Sequence, residues 1–191
     1  NISLPAESPF SLVALLKIDD TRTRVLSRTE RDKLLKAASE SKLLQLHDFI
    51  QFALMTGARY GEIVRLRRED ADYNKKTCTF RNTKNGFDRE IPLADDAITI
   101  LKRYPFGDTF FRIKEDSFRF YWNQARAKTG LKDFRFHDCR ATFCTLALLN
   151  GMSESSVALI SGHRDFRQLR KYLRIKPADL LDSVNKIVSI K

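Results

Sequence analysis

Residues 43–63 read LLQLHDFIQFALMTGARYGEI. From Leu43 to Met55 the side chains are apolar nearly all round, which predicts a buried helix. Gly57 stops it, because glycine enters the left-handed conformation of a helix C-cap at little steric cost. A short helix follows from about Arg59 to Leu66. His47, inside the apolar helix, reads as structural. Upstream, Ser27 and Glu30 have the spacing of a capping box, and Leu34, Leu35 and Ala38 continue it at helical spacing. Downstream, from Glu69 to Leu93, the texture changes. Tyr73, Thr77, Thr79, Phe80 and Ile91 favour strands, and Asn85-Gly86 is a strong hairpin signal. The expectation is an antiparallel meander with strands near 71–73, 77–82 and 88–93.

Helical patterns then return. They cover Ala94 to Arg103, Ser117 to Lys128 (capped by Asp116 and stopped by Gly130), Phe136 to Leu149 (stopped by Gly151), and a short helix from Ser153 to Gly162. Two more are expected at Phe166–Leu173 and from Pro177 onward, the last with Leu180, Leu181, Val184 and Val188 on one stripe. The fold class is mainly α with a small antiparallel sheet, α+β. The expected organisation is a linker segment over 1–26, a main domain over 27–176 and a C-terminal helix over 177–191.

Composition narrows the function. The 191 residues carry 35 Lys and Arg against 24 Asp and Glu, a net charge of +11, so a polyanion is the default partner. The excess is uneven. Residues 1–95 hold 17 basic and 14 acidic side chains, net +3, and residues 96–191 hold 18 and 10, net +8. No long apolar run predicts a membrane span. An apolar share of 42% with fourteen Phe argues against disorder. Three cysteines, an odd and sparse set, fit a reducing compartment better than a disulfide scaffold. No signal peptide is read at Asn1-Ile2-Ser3-Leu4-Pro5, and the lack of an initiator Met suggests a fragment of a longer protein.

Several side chains could do chemistry. Arg59 follows Thr56-Gly57-Ala58 with Glu62 three residues on. Lys84 sits at the tip Thr83-Lys84-Asn85-Gly86. His137 and Arg140 are three apart at a helix start. His163 follows Gly162, and Tyr172 comes nine residues later. Around it lie Arg164, Arg167, Arg170 and Lys171, like charges at helical spacing that would repel without a counter-anion. Taken singly, each has an ordinary structural explanation. His137, Cys139 and Cys144 at i, i+2, i+7 scatter around a helix, so no metal is expected, and no phosphate-cradling glycine motif is present.

As an ordered set these residues resemble the catalytic domain of the tyrosine recombinases, the phage-integrase family. The likeness runs from about Ser27 to Tyr172. It rests on Thr56-Gly57-Ala58-Arg59-Tyr60-Gly61-Glu62-Ile63, on His137-Asp138-Cys139-Arg140-Ala141-Thr142-Phe143, on Ser161-Gly162-His163 with Tyr172-Leu173, and on Thr83-Lys84-Asn85-Gly86 with Arg89-Glu90-Ile91-Pro92-Leu93. The sequence departs from the family's habit in three places. Ser161 stands where Leu usually precedes Gly-His, Leu169-Arg170-Lys171 stand where a Thr pair is common, and Cys139 replaces a common Leu.

The resemblance implies a recombinase that cuts and rejoins DNA through a 3′-phosphotyrosine link, with no metal or nucleotide cofactor. Tyr172 would be the nucleophile. Arg59, Arg140 and His163 would hold the phosphate, Lys84 would protonate the 5′ leaving oxygen, and His137 would act as base. Glu62 would orient Arg59 or a neighbour rather than react, while Arg164, Arg167, Arg170 and Lys171 would hold the duplex. It further implies a monomer in solution that forms a tetramer on double-stranded DNA, accessory DNA-bending proteins, and a bacterial cytoplasm or nucleoid. The alternative is a sequence-specific DNA-binding module in which Gly151 to Tyr172 forms a helix-turn-helix and Tyr172 only packs.

Overall fold

The computed structural model describes residues 24–81, 86–163 and Leu169. Among these the chain forms helices α1 (Arg28–Ser39), α2 (Leu46–Thr56) and α3 (Tyr60–Arg65), then a 3-10 turn (Arg68–Asp70). Strands β1 (Ala71–Asp72), β2 (Thr77–Phe80) and β3 (Arg89–Pro92) follow, and then helices α4 (Asp95–Lys102), α5 (Glu115–Lys128), α6 (Asp138–Leu149) and α7 (Glu154–Ser161). The architecture is mainly α with one three-stranded antiparallel sheet in the order β1-β2-β3. Thr77 faces Pro92 and Phe80 faces Arg89, so the two longer strands form the arms of a hairpin whose tip, 82–85, lies outside the described residues.

The helix boundaries follow local chemistry. Ser27 and Glu30 form the expected capping box, with Glu30 N donating to Ser27 Oγ and Ser27 N to Glu30 Oε2. α2 starts three residues later than its apolar pattern, because Leu46 N is turned onto Leu43 O and Leu44 stands exposed. α5 starts earlier than expected. Lys114 is its N-cap, and Glu115 and Asp116 fill the first turn, where the positive end of the helix dipole favours them. Ser153 caps α7 through Ser156 N.

α2 is the central pillar. Its Phe49, Ile50, Phe52 and Ala53 are fully buried, and the helix packs against α1, α4, α5 and α6. The Phe49 ring lies 5.2–5.5 Å from the rings of Tyr60, Phe111, Phe118 and Phe136, an aromatic knot joining α2, α3, α5 and the approach to α6. Asp48 of α2 is a buried acid in this core. Asp48 accepts from Arg103 Nη1 at 2.8 Å and Tyr104 Oη at 2.8 Å, and pairs with His47 Nδ1 at 2.9 Å. Burial pushes its carboxyl upward, but the bonds from His47, Tyr104 and Arg103 outweigh that and hold it below its usual value. His47 is thereby a structural partner.

A second, smaller cluster joins Ala141, Cys144 and Leu148 of α6 to Val157 and Ala158 of α7 and to Leu169. Leu26 is buried as well, and its N–H donates to Thr142 Oγ1 at 3.1 Å, tying the chain before α1 to α6. β3 packs against α7. The start of α3, the start of α6, β3 and the end of α7 therefore meet in one place. Among the described residues no helix is long and apolar enough to cross a membrane.

Candidate active site

The α2–α3 turn builds the first part of the site. Gly57 ends α2 at φ 64°, and its N–H returns to Ala53 O. A Cβ there would overlap the Phe143 ring, so the position needs glycine for space as well as for backbone angle. Thr56 Oγ1 donates to Phe52 O at 2.7 Å and accepts from Ala58 N at 3.3 Å, which fixes the turn. Arg59 follows as the N-cap of α3 in extended conformation. Its backbone N–H donates to Glu62 Oε2 and its Nη1 to Glu62 Oε1, both at 2.8 Å. One carboxylate thus caps the helix and fixes the Arg59 fork.

Glu62 is 4% exposed and has a second cation. Arg89 of β3 grips it with two parallel bonds, Nη1 to Oε1 at 3.1 Å and Nη2 to Oε2 at 2.9 Å. Burial pushes the Glu62 carboxyl up, while Arg89 and Arg59 together bring it below its usual value, so it is ionised between two guanidinium groups. The Arg89 carbon Cζ also lies 5.0 Å from the Phe80 ring centre.

Arg140, in the first turn of α6, is 1% exposed. Its Nη1 donates to the Gly57 carbonyl at 3.0 Å, and its Nη2 lies 3.3 Å from Nδ1 and 3.4 Å from Nε2 of His163. Burial and the nearby Arg59 push this guanidinium down to about 10. It is still a cation at neutral pH, in a place where a cation is costly without an anion. Its Nε and that of Arg89 are buried without a hydrogen-bond partner. His163 follows Gly162, the left-handed C-cap of α7, and Ser161 Oγ lies 2.7 Å from His163 Nδ1. A Cβ on Gly162 would collide with the Arg89 guanidinium, so glycine there lets the α7 end close onto β3.

The structure therefore gathers Arg59, Glu62, Arg140 and His163 from three separated parts of the chain. His137 stands exposed as the N-cap of α6, just outside the helix in which Arg140 is buried. Lys84, Tyr172, Arg164, Arg167, Arg170 and Lys171 lie outside the described residues, as do 1–23 and the expected last helix. Among the described residues no three His, Cys, Asp or Glu side chains gather as metal ligands. Cys139 and Cys144 are buried, and burial pushes the Cys139 thiol well above its ordinary value. Two contributors had no role assigned from the sequence. Arg89 shares the inward face of β3 with Ile91, and a charge at an inward strand position is the signal of a buried ion pair. Ser161 stood out only as a departure from Leu.

The family model described as "Phage integrase family" matches residues 24–178. The chain belongs to this family. A shufflon-specific DNA recombinase of Escherichia coli is 30% identical over 184 residues, covering 93% of this chain and 47% of the relative. A tyrosine recombinase, XerA, of Saccharolobus solfataricus is 28% identical over 177 residues, covering 91% of this chain and 60% of the relative. This family member thus spans about half the length of these curated relatives. The catalytic domain of the bacteriophage HP1 integrase has the same fold, with a TM-score of 0.69 at 23% identity over 86% of this chain and 95% of that one.

Proposed function

We propose that this chain is the catalytic domain of a site-specific DNA recombinase. What supports the reading most is the cluster itself. Arg59 and Arg140 are planar forks suited to bidentate phosphate recognition, His163 stands beside Arg140, and the buried Arg140 charge gains most from an anion. A module that only binds DNA has no need to bury a guanidinium at this cost.

The reaction follows from these groups and from the sequence positions beyond them. The Tyr172 phenol oxygen attacks a backbone phosphorus and His137 takes the phenol proton. Arg59, Arg140 and His163 stabilise the charge that grows on the non-bridging oxygens. The P–O5′ bond breaks, and Lys84 gives a proton to the departing 5′ oxygen. A 5′ hydroxyl from another strand reverses these steps, and the bond energy is conserved in the phosphotyrosine link, so no nucleotide is consumed. Arg164, Arg167, Arg170 and Lys171 hold the duplex by phosphate contacts. On this reading a monomer assembles into a tetramer on double-stranded DNA in a bacterial cytoplasm, with DNA-bending proteins as accessory partners.

The test uses a duplex selected from a random pool for binding to this chain, then nicked beside each phosphate in turn to trap the intermediate. The wild type is expected to give an adduct that survives denaturation. Tyr172→Phe is expected to abolish it and keep the salt-sensitive DNA binding. Binding without any adduct from folded wild-type protein overturns the enzyme reading in favour of a binding module.

A further inference from the structure

Ser161 is fully buried at the last turn of α7. Its hydroxyl oxygen is within hydrogen-bond distance of two groups, the Val157 carbonyl one turn back and His163 Nδ1 at 2.7 Å. A serine hydroxyl has one hydrogen, and a carbonyl can only accept. For both contacts to be hydrogen bonds, the hydroxyl must donate to Val157 O, and His163 Nδ1 must donate to Ser161 Oγ. Arg140 Nη2 can only donate; it lies 3.3 Å from Nδ1 and 3.4 Å from Nε2, and once Nδ1 carries the hydrogen only Nε2 has a lone pair to offer it. The directions therefore run from Nδ1 to Ser161 and from Ser161 to Val157, and the lone pair left for Arg140 is that of Nε2.

We infer that Ser161 is a positioning residue that fixes the tautomer of His163, placing the ring hydrogen on Nδ1 and leaving the lone pair on Nε2. This deepens the recombinase reading and gives a consequence for it. A neutral His163 held this way accepts at Nε2. It donates to a phosphate oxygen from Nε2 only when the ring is doubly protonated, and Ser161 Oγ is an acceptor suited to that state as well. An aliphatic side chain at 161 offers no such acceptor, so the serine changes how this site uses its histidine.

The experiment reads the ring directly and needs no DNA. The chain is produced with 15N-labelled histidine rings, and two-bond proton–nitrogen spectra are recorded at a pH where the rings are neutral. Comparison with His163→Gln assigns the His163 signals among the three histidines. The wild type is expected to show one tautomer, with an N–H-type Nδ1 and a lone-pair-type Nε2. Ser161→Ala is expected to lose it, with both nitrogens moving to averaged shifts, while Ser161→Thr restores the wild-type pattern. A wild-type ring with its hydrogen on Nε2, or a Ser161→Ala ring unchanged from wild type, overturns the inference. Backbone amide spectra of each variant check that the chain is folded. If Ser161→Ala is unfolded, the wild-type tautomer together with Ser161→Thr decides. Because this readout is independent of cleavage, a fixed Nδ1–H tautomer without any DNA adduct keeps the assignment and defeats only the recombinase reading.

Discussion

Glu62→Gln removes one negative charge from between two guanidinium groups and leaves the side-chain size unchanged. In the wild type, Glu62 accepts two bonds from Arg59 and two from Arg89, with side-chain exposure of 2% for Glu62 and 8% for Arg89. Losing one partner of a buried pair strands the other charge, which costs about 3–5 kcal/mol. In a chain of this size that lowers Tm by roughly 6–20 °C. Urea denaturation followed by circular dichroism gives the free-energy difference, provided the slope m is unchanged. Glu62→Gln combined with Arg89→Met removes the stranded charge of Arg89 as well and is expected to recover about half of the loss. The double variant should still fail to form the DNA adduct, because Arg59 has lost the carboxylate that orients it. A cost below about 1 kcal/mol for Glu62→Gln, the value of an exposed pair, refutes the argument that this carboxylate is the buried keystone between two arginines.

Gly57→Ala places a side chain at φ 64° against the Phe143 ring, so a loss of at least about 1–2 kcal/mol is expected in the same denaturation assay. Its adduct yield should fall further than stability alone explains, since the Gly57 carbonyl orients Arg140. Ser27→Ala deletes the α1 cap and is expected to cost about 1 kcal/mol with adduct yield unchanged. Acid should destabilise the fold in a defined window. Glu62 and Asp48 titrate in the folded chain below their ordinary 4.5 and 3.8, so their contribution is complete above those values and is lost as pH falls through the lower folded ones. A urea midpoint that stays flat between pH 5 and pH 2.5, roughly the range over which such carboxylates protonate, contradicts this.

Where local chemistry decided the outcome, the sequence was readable. The Ser27–Glu30 box, the Gly57 and Gly162 stops and the strand-favouring residues of β2 and β3 each have one dominant physical cause, and the described elements follow them. The start of α5 was less legible, because Glu115, Asp116 and Ser117 all suit a first turn and only tertiary packing of Phe118 selects the frame. In the site, the order of Arg59, Arg140 and His163 along the chain marked them as a set, and they come together. What no spacing could reveal was the support behind them. Arg89 reaches Glu62 from 27 residues away, and Arg140 reaches the Gly57 carbonyl across 83 residues, so each contact exists only once β3 and α6 have docked.

The described cluster has an uneven electrical balance. Arg59, Arg89 and Arg140 supply three positive charges and Glu62 supplies one negative charge, leaving a surplus of two. A phosphodiester in its resting form carries a single negative charge. The five-coordinate species formed when a deprotonated phenol attacks it carries two. Counted on these four side chains alone, the bound substrate would leave one positive charge uncompensated and the species at the top of the barrier would leave none. On the proposed reaction, such a site would hold the resting backbone with restraint and keep its strongest attraction for the moment of strand exchange.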